Sequence, residues 1–166
     1  MVDFDNFSLN VAFTPGDGEK QTLEYLTRYD KAIWEVNDDL KNEFNDTVNF
    51  IDFTFVSTGG AFNGMERGSH AGSIFVILRD LEDSGVNSFQ IVNRLRDKIG
   101  AVPEAEKFTI AGRNMFGAPV SLSILGNNMD DLNGAKTMLM DRMNSLPSLN
   151  NIMENNGIGM QEVLLE

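Results

Sequence analysis

The sequence predicts an α+β protein whose elements run β-α-β-β-α-β, followed by a β-α-β half-unit. Three observations predict it. Short runs place apolar residues on alternate positions. Two longer stretches repeat them every three to four positions. The same succession then begins again after about residue 116.

Residues 7–13 (FSLNVAF) place Phe7, Leu9, Val11 and Phe13 on alternate positions, as a half-buried strand requires. TPGDG at 14–18 ends it, because Pro and Gly break a ladder and permit a turn. From about residue 19, Leu23, Leu26, Ile33, Val36 and Leu40 fall at helical intervals among charged residues, predicting an amphipathic helix of roughly five to six turns. A second strand is expected over 47–57, with Ile51, Phe53 and Phe55 on one face. STGGAFNGMERGSHAG at 57–72 reads as a glycine-rich loop, too long for a tight hairpin, that carries one large aromatic, Phe62. A third strand follows over 72–80 and a turn at 83–85. Val92, Leu95 and Ile99 then mark a second helix, with Ser88 near its N-cap, Gly100 closing it and Pro103 beyond. KFTIAG at 107–112 reads as a fourth strand.

This order is the ferredoxin-like pattern, which implies an antiparallel four-stranded sheet with both helices on one face. It assigns residues 1–115 to a complete unit and 116–166 to the first half of another. In that half, 118–126 alternates as a strand. A third helix then follows, capped by Asn127-Asn128 with Asp130 and Asp131 in its first turn, and Leu132, Met138, Leu139, Met143 and Leu146 supply its apolar side. A weak strand closes the chain. A β-α-β piece leaves a sheet edge and a helix face uncovered unless something else completes it.

Composition narrows the function. The net charge of −12 argues against nucleic-acid binding, which needs clustered Lys and Arg. The absence of cysteine excludes disulfides, thiolate metal sites and Cys nucleophiles. No apolar run approaches the ~20 residues that span a bilayer. A single histidine, His70, cannot build a multi-histidine metal centre or a usual triad, and reads as a polar residue at a loop end. The glycines of 57–72 lead into a strand with no Gly-Lys-Ser/Thr, so they do not make a phosphate cradle. Carboxylate pairs such as Asp38-Asp39 solvate helix faces. No catalytic set, metal site or cofactor is expected, and the chain does not read as an enzyme.

Taken in order, VAFTPGDGEKQTLEYL, STGGAFNGMERGSHAGSIFVILRD, VNRLRDKIGAVPEA and VSLSILGNNMDDLNGAKTMLMDRMNSLPSLNNI resemble the second periplasmic porter region of resistance-nodulation-division (RND) efflux pumps of the acriflavine-resistance type. The likeness runs over roughly residues 8–163. It implies the periplasmic part of a Gram-negative inner-membrane protein, driven by proton flux and working as a homotrimer with a periplasmic adaptor and an outer-membrane channel. It implies that the chain is a piece of a longer protein, ending near a point where the second subdomain is interrupted. The substrates are then drugs or other amphipathic small molecules that pass a cleft between the subdomains. Residues 57–72 become a switch loop, with Gly59, Gly60, Ala61, Asn63 and Gly64 at its hinge. Phe55, Phe62, Phe108, Ile110 and Met115 become substrate-contacting positions. From the residues alone, Phe62 reads first as an anchor packed on its own sheet, and the whole chain has the alternative of a stand-alone ferredoxin-like ligand-binding or regulatory module.

Overall fold

The computed structural model describes residues 4–16, 18–112, 122–146, 149 and 152. Four strands, β1 (Asn6–Ala12), β2 (Ile51–Ala61), β3 (Glu66–Leu78) and β4 (Lys107–Gly112), form one sheet in the order β2-β3-β1-β4. Every neighbouring pair is antiparallel. Helices α1 (Glu19–Phe44) and α2 (Ser88–Ile99) connect them, and a third helix, α3 (Met129–Asn144), follows. The mixed α+β class and the β-α-β-β-α-β order are those expected from the sequence.

The two-residue alternation of β1 sorts its side chains. Phe7, Leu9 and Val11 are fully buried, while Asn6, Ser8 and Asn10 point to the other face. The buried face meets Leu26, Tyr29, Ile33, Val36 and Leu40 of α1 and Ile91, Val92, Leu95 and Ile99 of α2 in one core. Helix α1 lies over β2 and β3 and packs on α2, which lies against β4. Both helices therefore cover one face of the sheet, and the other face carries neither.

Helix α1 runs 26 residues, about seven turns, longer than its apolar spacing predicted. Leu23, expected on its buried side, is 48% exposed, and Thr22 takes that place. The Thr22 hydroxyl donates to the Ser69 carbonyl at 2.7 Å, so the polar group is satisfied where it is buried. Gly72 explains how α1 comes so close. A Cβ there would sit 2.6 Å from Leu26 Cδ1 and 2.9 Å from the Ser57 carbonyl oxygen, a space only glycine leaves open. Buried Asn37 joins helix to sheet, its Oδ1 accepting from the Phe50 and Ile51 amides at 2.9 and 3.3 Å.

Three expectations are corrected. Strand β2 begins at Ile51 rather than 47, and a bulge between Ile51 and Phe53 turns Ile51 into the core and Phe53 and Phe55 to the open face. Residues 57–72 are not a loop. Strand β2 continues to Ala61, β3 starts at Glu66, and only a tight turn over Phe62–Met65, with positive φ at Phe62, Asn63 and Gly64, joins them. Residues 122–126, expected to end a strand, have no regular structure. Alternation makes a strand only where a neighbour completes its ladder, and none of the described residues pairs with them. The weak closing strand lies outside the described residues.

The chain divides into two compact units, one holding the four strands with α1 and α2, the other holding α3. As predicted, Asn128 caps α3, its side chain accepting from the Asp130 amide at 2.9 Å. None of the residues of α3 is buried, its apolar ones included.

Candidate functional site

The sheet face opposite the helices is the candidate site. Two patches occupy it. The first is apolar and belongs to the edge pair β2 and β3. Register places Phe53 beside Ile77 and Phe55 beside Phe75. Phe55 is 62% exposed and Phe53 49%, and Phe75 and Ile77 are half-buried. On the neighbouring strand, Asn6 and Ser8 stand beside Ile77 and Phe75, so polar groups border the aromatic strip. Such a surface offers contact area and ring faces without a fixed hydrogen-bond pattern.

The second patch lies towards the end of β1. Here the turn folds back on the sheet. Phe62 is only 5% exposed and packs with Ala12, Ala61 and Ala71. Its amide donates to Asn10 Oδ1 at 2.8 Å. Glu66, just after the turn, pairs with Lys107 of β4 through one carboxylate oxygen and lies 3.7 Å from His70 Nε2 through the other. The hydrogen bond from Lys107 holds the Glu66 carboxyl below its ordinary value against the opposing effect of burial, and His70 adds to it.

The positions implied by the RND resemblance therefore separate. Phe55 and Phe62 share the open face. Gly59, Gly60 and Ala61 lie within β2, and Asn63 and Gly64 form the turn. Ile110 is 1% exposed in the core, beneath the helices, and Phe108 points the same way with its ring 5.5 Å from that of Tyr29. Alternation along β4 sets this, because Leu9 and Val11, their partners across the ladder, face the core. Ile110 has no surface to offer a ligand. Met115 lies outside the described residues. Phe53, Phe75 and Ile77 are not among the positions that the resemblance implies. The alternation in SIFVIL is the signal for the two on the third strand, and the two-residue spacing from Phe55 is the signal for Phe53.

A shallow polar depression lined by Asp46, Arg79, Asp80, Glu82, Asp83 and Ser84 is a weaker candidate. Its one cation is engaged: Arg79 pairs with Asp46, and that hydrogen bond holds the Asp46 carboxyl below its usual range. Among the described residues, no three His, Asp or Glu side chains are grouped to hold a metal ion, and no helix is long and apolar enough to cross a membrane.

No family model matches the chain. It is similar to the multidrug resistance protein MdtC of Erwinia tasmaniensis, with 24% identity over 155 residues. The alignment takes in 90% of this chain but 13% of MdtC, so the chain spans about an eighth of the length of the curated relative it matches. The likeness thus reaches along nearly the whole of this chain rather than over one short motif.

Proposed function

We propose that the chain is a porter portion of an RND-type efflux transporter, a complete first subdomain followed by the start of a second. On this reading it takes up drugs or other amphipathic compounds in the periplasm, as part of a proton-driven trimer that works with an adaptor and an outer-membrane channel. The observation that carries the reading is the similarity to a multidrug resistance protein over 90% of the chain. The exposed strip of Phe53 and Phe55 with Phe75 and Ile77 beside it supports the binding role. Aromatic faces attract apolar and cationic molecules by area and ring quadrupole, and the net charge of −12 favours cations over anions.

The test uses the intact transporter. Phe55→Ala is expected to weaken binding of an aromatic cationic dye about three- to tenfold, the equivalent of one lost aromatic contact. It should raise the drug susceptibility of cells at unchanged expression. Susceptibility and dye binding both equal to the parent's would reject the open face as the binding surface.

A stand-alone ligand-binding module is the second reading, and the finished four-stranded sheet with its own core favours it. The parent reading frame separates the two. Flanking apolar segments of about 20 residues belong to the transporter alone.

A further inference from the structure

The two edges of the sheet are left in different states. The Leu78 amide donates to the Asp5 carbonyl at 2.8 Å, and the Phe13 amide to the His70 carbonyl at 2.9 Å. Bonded rungs alternate in an antiparallel pair. Ile74, Val76 and Leu78 of β3 therefore turn their backbone groups to β1, and Ser73, Phe75 and Ile77 turn theirs to Ser57, Phe55 and Phe53 of β2. Thr54, Val56 and Thr58 are left with amides and carbonyls aimed away from the sheet, where no described strand follows. At the other edge, the same alternation turns the Ile110 carbonyl outward, and Arg96 of α2 donates to it at 2.6 Å. Edge strands are normally guarded by shortness, Lys, Pro or a covering group. Strand β4 has six residues and that cover, whereas β2 runs 11 residues with no Pro, no Lys and one charge, Asp52.

Helix α1 extends the open edge. The Thr58 hydroxyl donates to Glu19 Oε1 at 3.2 Å, and Asn37 accepts from the Phe50 amide, so α1 runs beside β2 in the opposite direction. A helix rises about 1.5 Å per residue and a strand about 3.3 Å, which sets Phe55 level with about residue 25 of α1. Lys20, Leu23, Thr27 and Asp30 share one face of α1 and are spaced evenly about that level. Leu23 is 48% exposed, and Asp30 Oδ1 is buried with no hydrogen-bond partner among the described residues.

Strand and helix row are both self-complementary. A two-fold axis through Phe55 sets Thr54 against the partner's Val56 as a bonded rung and Phe55 against the partner's Phe55 as the closer, unbonded one. Asp52 then meets the partner's Thr58 rather than a second carboxylate. The same axis sets Leu23 against the partner's Thr27 and Lys20 against the partner's Asp30, opposite charges together. Strands about 4.8 Å apart bring the two α1 helices to about 10 Å, the separation of packed helices.

We propose that two copies of this chain join through β2, turning two four-stranded sheets into one continuous sheet with the α1 helices side by side. The open faces then merge, with Phe53 and Phe55 of both copies in one apolar surface. The exposed apolar parts of Leu23, Phe53, Phe55 and Val56 come to on the order of 300 Å² per copy, below the ~800 Å² per partner of a standard interface, so the dimer is reversible with a Kd of about 10–100 μM. The net charge of −12 opposes association, and salt strengthens it by screening. The pairing needs only the free edge. It rests on neither reading of the function and stands apart from the threefold assembly of the transporter.

Sedimentation velocity of the 166-residue chain, from about 1 to about 300 μM, tests this. A reversible monomer–dimer equilibrium is expected, tighter at high salt than at low. Val56→Lys should weaken it about tenfold with an unchanged circular dichroism spectrum. Thr54→Pro should do the same, since the amide it removes serves no rung within the chain. Without native cysteines, Phe55→Cys reports the register: oxidation should link it to its own copy about tenfold faster than Phe53→Cys, which lies opposite the partner's Ser57. A monomer at every concentration overturns the pairing. So does a dimer indifferent to both Val56→Lys and Thr54→Pro, or equal cross-linking of the two cysteine variants.

Discussion

Truncating Phe55 to alanine removes a larger apolar group than truncating Ile110, yet it is expected to cost less stability, because the two act on different quantities. Ile110 is enclosed by the core, so its loss leaves a cavity as well as lost transfer energy, and Ile110→Ala is expected to cost about 3 kcal/mol. Phe55 is already largely in water, and Phe55→Ala is expected to cost under about 1 kcal/mol. Chemical denaturation of the two variants measures both; equal costs would place the residues in like environments and contradict the assigned faces. Stability and ligand binding thus fall to different residues, although both side chains are apolar and both lie on strands. Asn37 shows the complementary case, in which a polar residue is buried because the Phe50 and Ile51 amides need an acceptor.

At the scale of elements, α2 is the one whose local signals agree most closely. Asn87 accepts from the Gln90 amide while the Gln90 side chain accepts from the Asn87 amide, so a full capping box opens the helix. Arg96 and Lys98 lie in its last turn, and Gly100 closes it with φ 70°. Asn87→Ala is expected to lower stability by about 1 kcal/mol and the Tm by several degrees. A thermal midpoint equal to the parent's would show that tertiary packing alone fixes this end. Strand β2 is the opposite case. One bulge reverses which of its side chains face the core, and no residue type in IDFTF marks it.

For the whole molecule, the first unit contains a finished sheet and a single core, while the helix of the second buries none of its own residues. Stability should therefore reside in the first unit. A chain ended after Gly112 is expected to unfold in one cooperative transition, with a midpoint within about 3 °C of the full chain's, followed by circular dichroism. Loss of cooperativity in the shorter chain would mean that the core depends on residues beyond Gly112. The exposed apolar residues of α3 accord with a proposal in which the chain is one part of a larger assembly.

The sequence by itself determined the element order, the α+β class, the bounds of β4 and the Asn128 cap of α3, because periodicity and capping are local and act within a few residues. The RND resemblance, rather than periodicity, pointed to Phe55 and Phe62, and both lie on the open face. Tertiary structure alone decided that 57–72 is a hairpin arm rather than a loop, since glycine and serine extend into strand only when a partner strand supplies the ladder. It likewise decided that Ile110 is core, that Ile51 parts from Phe53 and Phe55, and that Phe62 lies on a shelf of two alanines. Those outcomes depend on bulges, on register and on residues distant in sequence, such as Asn10 and Lys107, whose meeting no short window of sequence encodes.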